Sequence, residues 1–218
     1  MNKHLFIVLV LLSGLFIIGL GSVTALKFRS NDNMLSQMAL SNGFIYPTPK
    51  ALPSFALTKQ DGSLFTNADL KGRWSLFFIG YTSCPDVCPT TMAKLSAAYP
   101  ELRKSADIQI IFLSVDPQRD NREKLLNYMN FFNPEFIALT GDHKQLFPLT
   151  RSLGFVYAMV GEGENYQVDH SASMALISPE GENIAIIKPK SSSAGTLPQI
   201  SSQALISDIA WITQKHQR

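Results

Sequence analysis

Short, strongly apolar runs alternate along the chain with longer stretches in which apolar residues recur at helical spacing. Trp74 to Tyr81 and Ile108 to Val115 are two such runs, and both are rich in aromatic or β-branched residues. Runs of this kind are typical of strands buried within a sheet. The stretch between them carries apolar residues at Met92, Leu95, Ala98, Tyr99 and Leu102. This pattern predicts a strand, a helix and a second strand in succession.

Capping signals predict the helices that follow. Asp120, followed three residues later by Glu123, has the spacing of a capping box and predicts the start of a helix. Asp142 opens a second helix in the same way, and Gly154 is well placed as the C-terminal cap of that helix. The amphipathic stretch from Leu205 to Trp211 predicts a closing helix.

Strand and turn signals complete the predicted fold. Asp61-Gly62 predicts a short hairpin, and Phe136 to Leu139 and Phe155 to Val160 are further strand candidates. Ser173 to Ile177 predicts a strand, and the turn at Ser178 to Glu182 sends the chain back alongside it. Because strands alternate with helices and the late hairpin is antiparallel, we expect an α/β fold with a mixed central sheet flanked by helices. A thiol-bearing loop between a strand and a helix makes that expected fold thioredoxin-like.

The N-terminal region is predicted to target the chain to a membrane. Leu5 to Leu26 contains no charged residue and is long enough to span a bilayer as a helix. The small residues Val23-Thr24-Ala25 leave a cleaved signal peptide as the alternative. We divide the chain into a membrane anchor at 1–28, a juxtamembrane linker at 29–50 broken by Pro47 and Pro49, and a domain at 51–218. We expect a single-pass protein of the inner or cytoplasmic membrane whose domain faces the periplasm or an equivalent extracytoplasmic space.

Composition and charge agree with a globular domain attached to a membrane segment. Hydrophobic residues make up 45% of the 218 residues and charged residues 17%. The formal net charge is +2, and the sequence contains no basic cluster interleaved with aromatic residues. Nucleic acid is therefore not an expected partner.

The two cysteines of the chain, Cys84 and Cys88, lie between the first predicted strand and its helix. Proline is tolerated at the first position of a helix, so Pro89 places Cys88 at the helix start. Backbone N–H groups there favour negative charge, and we expect the pKa of the Cys88 thiol to lie below that of a free thiol. A disulfide across three residues would restrain little chain. A redox-active pair or a soft metal site is therefore favoured over a structural disulfide.

One of the four histidines is a candidate for a third ligand. His4 lies in the targeting region, His216 lies near the C-terminus, and His143 lies in the first turn of a predicted helix. His170 follows Asp169 where a loop enters a predicted strand, and in a thioredoxin-like sheet that loop lies beside the cysteine loop. A lone histidine there would be a structural residue, but the nearby cysteine pair favours a ligand. Copper(I) prefers thiolates and also accepts imidazole.

Four segments of the chain resemble the Sco/SenC family: Gly80 to Thr91, Ser114 to Asp120, Leu139 to Gly141 and Val168 to Ala172. The similarity extends from about Leu52 to Gly181. It implies a membrane-tethered, thioredoxin-like domain that binds copper through two cysteines and a histidine. Members of the family help to assemble the copper site of cytochrome c oxidase, either by donating copper or by reducing the thiols of the recipient.

The resemblance assigns roles to particular residues. Cys84, Cys88 and His170 would be the ligands of copper, as Cu(I), Cu(II) or both. Asp169 would orient the imidazole or contact a partner, and Asp86 would tune the charge of the metal loop. The implied partners are the membrane and the copper-receiving subunit of cytochrome c oxidase or of another copper enzyme. Met174, whose thioether is a conceivable copper ligand, is better explained as a core residue.

Two enzymatic alternatives remain. A thiol–disulfide oxidoreductase would use a redox-active Cys84–Cys88 disulfide to reduce the copper-ligand cysteines of its partner. The three-residue spacing and His170 favour metal binding over this exchange, although both activities can coexist in one protein. A peroxidase requires hydrogen-bond donors around a reactive cysteine, and no motif in the sequence supplies them.

Overall fold

The computed structural model describes residues 39–41, 43–161, 163, 166–191 and 198–216. The described residues from Leu40 onward belong to one compact unit, Leu40–Arg218. The predicted membrane anchor at 1–28 lies outside the described residues, as does half of the predicted linker. Among the helices that are described, none has both the length and the apolar character needed to cross a bilayer.

The described residues form a mixed α/β fold. The strands are β1 (Ala39–Leu40), β2 (Gly43–Ala51), β3 (Ala56–Lys59), β4 (Leu64–Thr66), β5 (Trp74–Gly80), β6 (Ile108–Ser114), β7 (Ile137–Thr140), β8 (Tyr157–Val160), β9 (Gln167–His170), β10 (Met174–Ile177) and β11 (Glu182–Ile187). The helices are α1 (Val87–Ser105), α2 (Arg122–Phe132), α3 (His143–Leu153) and α4 (Ser202–His216), with a short 3-10 helix at Asn67–Leu70.

The central sheet has the order β1-β2-β11-β10-β5-β6-β7-β3-β4. Strands β5, β6 and β7 are parallel to one another, whereas β10 runs antiparallel to β5 and β11 runs antiparallel to β10. Strands β8 and β9 form a separate two-stranded antiparallel sheet. This arrangement confirms the predicted mixed sheet flanked by helices.

The hydrophobic core lies on both faces of β5. Leu76 and Phe78 point to one face, where they join a cluster that includes buried residues of α1, α2 and α4. Phe77 and Ile79 point to the other face and join a cluster that includes buried residues of α3. Successive side chains of a strand face opposite sides, so a run that is apolar at nearly every position fits only a strand covered on both faces.

Strand register decides which loops meet at the end of β5. Gly80 pairs with Ser114, so the parallel strands β5 and β6 end at the same edge of the sheet. Met174, at the start of the antiparallel strand β10, lies opposite Phe78. The residues just before β10 therefore lie at the edge where β5 ends. This register brings the histidine segment to the cysteine loop.

The capping predictions are partly confirmed. The Asp142 side chain accepts a hydrogen bond from the backbone N–H of Gln145, and Gly154 ends α3 with a positive φ of 84°. The predicted capping box at Asp120 is wrong, because the N-cap of α2 is Asn121, whose side chain accepts from the backbone N–H of Lys124. The Asp120 carboxylate is turned into the protein instead, where it is buried.

The segment around Pro47 and Pro49 forms a strand rather than the break that its prolines predict. Strand β2 pairs with β11, and the register shifts between Asn183 and Ala185. Residues 46–49 have no one-to-one partners in this pairing, so the missing N–H groups of the two prolines interrupt no ladder hydrogen bond. The sheet thus extends into residues that the sequence assigns to the linker.

Candidate metal centre

The cysteine loop connects β5 to α1. Strand β5 ends at Gly80, the backbone N–H of Cys84 donates to the carbonyl oxygen of Tyr81 at 3.2 Å, and α1 begins at Val87. Cys84 is half-buried, whereas Cys88, one residue into the helix, is fully buried. The loop therefore presents one accessible sulfur and one enclosed sulfur.

The second side of the centre comes from the end of β9. His170 Nε2 lies 3.3 Å from Cys88 Sγ. The candidate ligand atoms of Cys84, Cys88 and His170 all lie within 4.8 Å of one another. The three residues singled out by the sequence are thus brought together, although 82 positions separate Cys88 from His170.

The imidazole of His170 is held in an orientation that leaves Nε2 available. Its Nδ1 lies 3.1 Å from the carbonyl oxygen of Ser171. A carbonyl oxygen can only accept a hydrogen bond, so Nδ1 carries the proton of the neutral ring and the lone pair of Nε2 faces the cysteines. The ring also makes edge contacts with Phe78 and Tyr81, at centroid distances of 6.5 and 5.9 Å.

The two thiols differ sharply in acidity. A hydrogen bond from Cys88 lowers the pKa of Cys84 to about 3. The same hydrogen bond to Cys84, together with burial, raises the pKa of Cys88. The prediction that the pKa of Cys88 lies below that of a free thiol is wrong, because burial opposes charge on its sulfur and its proton is shared with Cys84. Cys84 is therefore the thiolate of the pair.

The centre leaves no room behind Cys88. A Cβ atom placed on Gly80 would lie 2.7 Å from Cys88 Sγ and 2.9 Å from Cε2 of Phe112. Glycine at this position is therefore required by the close approach of a sulfur to the end of β5.

The remaining predicted site residues surround the centre without contacting it in the expected way. Asp86 is the exposed N-cap residue of α1, and its side chain makes no capping hydrogen bond. Asp169 is also exposed, and it is the carbonyl of Ser171, not Asp169, that meets the imidazole. Met174 is buried in the core, as predicted.

The other described histidines take part in contacts elsewhere. His143 Nδ1 lies 2.9 Å from the hydroxyl oxygen of Tyr157, and the two rings stack. His216 Nε2 lies 2.8 Å from a carboxylate oxygen of Glu180, and its ring packs against Trp74. His4 lies outside the described residues. Each described histidine other than His170 therefore has a structural explanation.

A polar network that the sequence pattern did not predict lies beside the centre. The buried Asp120 carboxylate accepts hydrogen bonds from the backbone N–H and hydroxyl of Thr82, at 2.9 and 2.6 Å, and from the hydroxyl of Ser114 at 2.6 Å. Burial raises the pKa of Asp120, and these hydrogen bonds oppose that rise. Asp116 and Arg119, from the same turn, contact the segment that leads into β9. The signal that points to this network is the cluster of charged residues directly after a buried strand.

The donor set suits a soft, low-coordinate metal ion. Two sulfur atoms and one neutral imidazole nitrogen are the ligands that copper(I) and zinc accept. In the part of the chain that the structure describes, this trio is the group of cysteine, histidine and acidic side chains placed to hold an ion. The same sulfur atoms are also close enough for thiol–disulfide chemistry after a small adjustment.

Comparison with known proteins decides the family of the chain. The family model SCO1/SenC matches residues 46–204. The chain belongs to the SCO1/SenC family. The match covers both sides of the metal centre and confirms the resemblance found in the sequence.

Relatives in this family come from distant organisms. The chain is 36% identical over 129 residues to "Protein SCO1 homolog 1, mitochondrial" of Arabidopsis thaliana, which is 58% of this chain and 39% of that protein. It is 36% identical over 133 residues to "Protein SCO1 homolog, mitochondrial" of Homo sapiens, which is 59% of this chain and 44% of that protein. The match thus spans less than half the length of these two relatives.

Solved structures of SCO1/SenC proteins share the fold. Arabidopsis thaliana ScoI, crystallised with copper bound, superposes with a TM-score of 0.64 at 31% identity, covering 74% of this chain and 98% of ScoI. The solution structure of apo Sco1 from Thermus thermophilus gives a TM-score of 0.64 at 29% identity, covering 78% of this chain and 95% of that protein. The mixed sheet and its flanking helices are therefore those of this family.

Proposed function

We propose that this chain binds one copper ion through Cys84, Cys88 and His170 and delivers it to the copper site of cytochrome c oxidase or of another copper enzyme. The observation that carries the proposal is the convergence of two sulfur atoms and one imidazole nitrogen within 4.8 Å. Membership of a family in which ScoI of Arabidopsis thaliana was crystallised with copper supports the choice of metal.

The unequal exposure of the two sulfurs supports a role in transfer. Cys84 is half-exposed and ionised, so its sulfur is ready to bind copper without first losing a proton. Cys88 is buried and its thiol proton must leave when copper binds. An incoming thiolate of a partner can reach a three-coordinate copper(I) ion from the exposed side and replace Cys84 first.

The proposal is tested by copper retention. The reduced full-length chain should bind one copper ion. Replacing Cys84, Cys88 or His170 with alanine should weaken copper binding by more than roughly 10–100-fold, which is the loss typical for a residue that only hydrogen-bonds to a metal ligand. His143→Ala is the matched control, because His143 contacts Tyr157 and not the centre. Retention of copper by His170→Ala at the affinity of the parent would remove His170 from the ligand set.

The geometry also supports a second candidate function, the reduction of a disulfide formed by the copper-ligand cysteines of a partner. The Cys84 thiolate would attack one sulfur of that disulfide and release the partner's other sulfur as a thiolate. Cys88 would then lose its proton and attack Cys84, which leaves a Cys84–Cys88 disulfide and a partner with two thiols. Two electrons pass from the chain to its partner in this exchange. The observation that favours it is the ionised, accessible Cys84 beside a protonated Cys88.

A single variant separates the two functions. His170→Ala should weaken copper binding, yet it leaves both cysteines in place for exchange with a disulfide peptide. If His170→Ala abolishes delivery of copper to an acceptor while disulfide reduction continues, copper binding and thiol exchange are separate activities of this chain. Loss of oxidase assembly only in the cysteine variants, with His170→Ala fully active, would favour the reductase.

We further propose that residues 1–28 anchor the chain in the inner or cytoplasmic membrane, with the domain on the periplasmic or equivalent side. The support is the uncharged run from Leu5 to Leu26. The full chain should remain in carbonate-washed membranes, and protease added from the extracytoplasmic side should digest the domain. Release of the chain into the soluble fraction with a shortened N-terminus would indicate the cleaved signal peptide instead.

A further inference from the structure

The ligand histidine is carried by a hairpin that is separate from the main sheet. Within the described part of the chain, strands β8 and β9 pair only with each other, and His170 is the last residue of β9. The imidazole itself bonds to the carbonyl oxygen of Ser171, the next residue of the same segment. The register of β10 places the end of this hairpin near the cysteine loop, but the start of β9 is not held by the main-sheet ladder.

Arg119 bridges the main sheet and the start of this hairpin. Its Nε donates to Asp116 Oδ2 at 2.5 Å, and its Nη1 donates to the backbone carbonyl oxygen of Tyr166 at 2.8 Å. The Tyr166 hydroxyl in turn donates to the other oxygen of Asp116. The guanidinium also lies over the Tyr166 ring, at 3.8 Å from its centroid. Asp116, Arg119 and Tyr166 thus form a closed ring of contacts, which we call the Arg119 clamp.

The Arg119 clamp is anchored firmly on the sheet side. Asp116 is fully buried just beyond the end of β6, whereas the Arg119 side chain is 22% exposed. A buried carboxylate paired with a guanidinium is a strong and directional contact, because little water competes for either group. Tyr81, at the start of the cysteine loop, adds a hydrogen bond from its hydroxyl to Gln167 of β9 at 2.9 Å. The start of β9 is therefore tied to the main sheet by charged and polar side chains.

The same turn also ties down the cysteine side of the centre. The backbone N–H of Asp120 donates to the carbonyl oxygen of Asp116 at 2.9 Å, and the Asp120 carboxylate holds Thr82 of the cysteine loop. One five-residue turn after β6 therefore contacts both the loop with the two cysteines and the hairpin with the histidine. Its position sets the distance between the two halves of the centre.

We propose that Arg119 is a positioning residue that holds His170 at the cysteine pair by fixing the start of β9 to Asp116. Arg119 bonds to Asp116 and Tyr166 and not to a candidate ligand atom, so it acts through the direction of the four-residue strand Gln167–His170. This inference has two halves. The functional half, that Arg119 raises copper affinity, rests on the proposed function. The structural half, that Arg119 holds the hairpin in place, does not depend on copper. Without the Arg119 clamp, the two cysteines remain in place and the imidazole is no longer held against them.

The test of the structural half uses the metal-free full chain and hydrogen exchange. Arg119→Ala should raise the exchange rates of the amides in β8 and β9 about 10-fold or more, which is what one hydrogen bond to a charged group is worth. The amides of β5 and β6 should keep their rates. Arg122→Ala is the matched control, since its exposed guanidinium bonds to the carbonyl oxygen of Asp61. An equal rise throughout the sheet would make Arg119 a general stability residue and overturn the proposal.

The test of the functional half is a double-mutant cycle on copper affinity. Arg119→Ala should weaken binding about 10-fold when His170 is present. It should change binding little in the His170→Ala background, because its target is already absent. An equal loss in both backgrounds, or no loss in either, would overturn the proposal. Arg119→Lys keeps the positive charge but lacks the planar guanidinium, so its copper affinity should lie between those of the parent and Arg119→Ala. This variant replaces Arg119→Ala in the cycle if Arg119→Ala fails to fold.

The two proposals fail in different ways. If the parent itself binds no copper with its thiols reduced, the proposed function is wrong, and the hydrogen-exchange result alone decides whether Arg119 holds the hairpin. If the parent binds copper through Cys84, Cys88 and His170 and the cycle shows no coupling between Arg119 and His170, the proposed function stands and the Arg119 clamp does not act on it.

Discussion

At the level of single residues, the two cysteines of the centre differ in exposure and in acidity. Cys84 is half-exposed and carries the negative charge, while Cys88 is enclosed and keeps the proton. The position of Cys88 at a helix start predicts a pKa below that of a free thiol. That prediction failed because the hydrogen bond between the sulfurs and the burial of Cys88 outweigh the partial charge of a helix terminus.

The acidity of Cys84 predicts how its alkylation depends on pH. With its pKa near 3, Cys84 is a thiolate throughout the range from about pH 5 to pH 8, so its reaction with iodoacetamide should be nearly independent of pH. In Cys88→Ala the donor is lost, the pKa rises, and the rate should climb as pH rises. Cys88→Ser keeps a hydroxyl donor and is the control. A steep pH dependence in the reduced parent would show that Cys84 is not the thiolate.

The close packing around Gly80 predicts that Gly80→Ala lowers both the stability of the fold and its copper affinity. Alanine there would overlap Cys88 Sγ and the Phe112 ring, so we expect a loss of about 1–3 kcal/mol in the free energy of unfolding and a roughly 10-fold weaker copper affinity. Gly141→Ala is the matched control, because its Cβ would meet only the end of the Leu57 side chain, 2.5 Å away. Denaturant unfolding and copper competition measure both effects. Equal copper affinities in the two variants would contradict the close approach at Gly80.

The sequence singled out the three residues that converge at the candidate centre, but not the residues that hold them in place. Cys84 and Cys88 are close in sequence, and their spacing at a strand–helix junction is a local signal. The contacts of the network join residues far apart: Thr82 and Asp120 are 38 positions apart, and Asp116 and Tyr166 are 50 apart. Asp120 also has the spacing of a helix cap, so the local pattern assigns its carboxylate to the wrong partner.

At the scale of elements, the β-hairpins and helices that carry strong local signals were predicted well. The turn at Ser178 to Glu182 joins β10 to β11 as expected, and α3 begins and ends at its predicted caps. Strand β9 was missed, because the four residues that pair with β8 carry no clear periodicity. Strand β2 was missed because its prolines favour a break unless a register shift accommodates them.

The cap of α3 predicts a change in stability without a change in copper binding. Gly154 has a φ of 84°, where a side chain costs about 1–2 kcal/mol. Gly154→Ala should lower the free energy of unfolding by about that amount in a denaturant titration and leave copper affinity unchanged. Arg151→Ala is an exposed control that keeps the capping backbone and should shift stability by less than about 0.5 kcal/mol. An unchanged stability in Gly154→Ala would contradict the left-handed cap.

At the scale of the whole molecule, the sheet register gathers two distant segments at one edge. Strand β10 is antiparallel to β5, so the start of β10 lies at the end of β5. His170, just before β10, therefore lies beside the cysteine loop that follows β5. Both segments rest on a core that covers both faces of β5. The site is therefore a property of the assembled sheet and should disappear with it.

This dependence predicts a coupling between copper and global stability. A ligand that binds only the folded chain stabilises it by about 4 kcal/mol at a free concentration a thousand times its Kd. Copper(I) should therefore raise the Tm of the reduced parent markedly and that of His170→Ala much less at the same free copper concentration. His143→Ala should match the parent. A copper-induced shift of the same size in His170→Ala would argue that the ion binds elsewhere.

In the proposed copper site, two sulfurs and one imidazole nitrogen hold the ion. The most direct test is X-ray absorption at the copper edge on the reduced, copper(I)-loaded full chain, with His170→Ala measured alongside. We expect two sulfur neighbours and one nitrogen neighbour in the parent and loss of the imidazole scattering in the variant. A spectrum with fewer than two sulfur neighbours, or with imidazole scattering that survives His170→Ala, would contradict the claim.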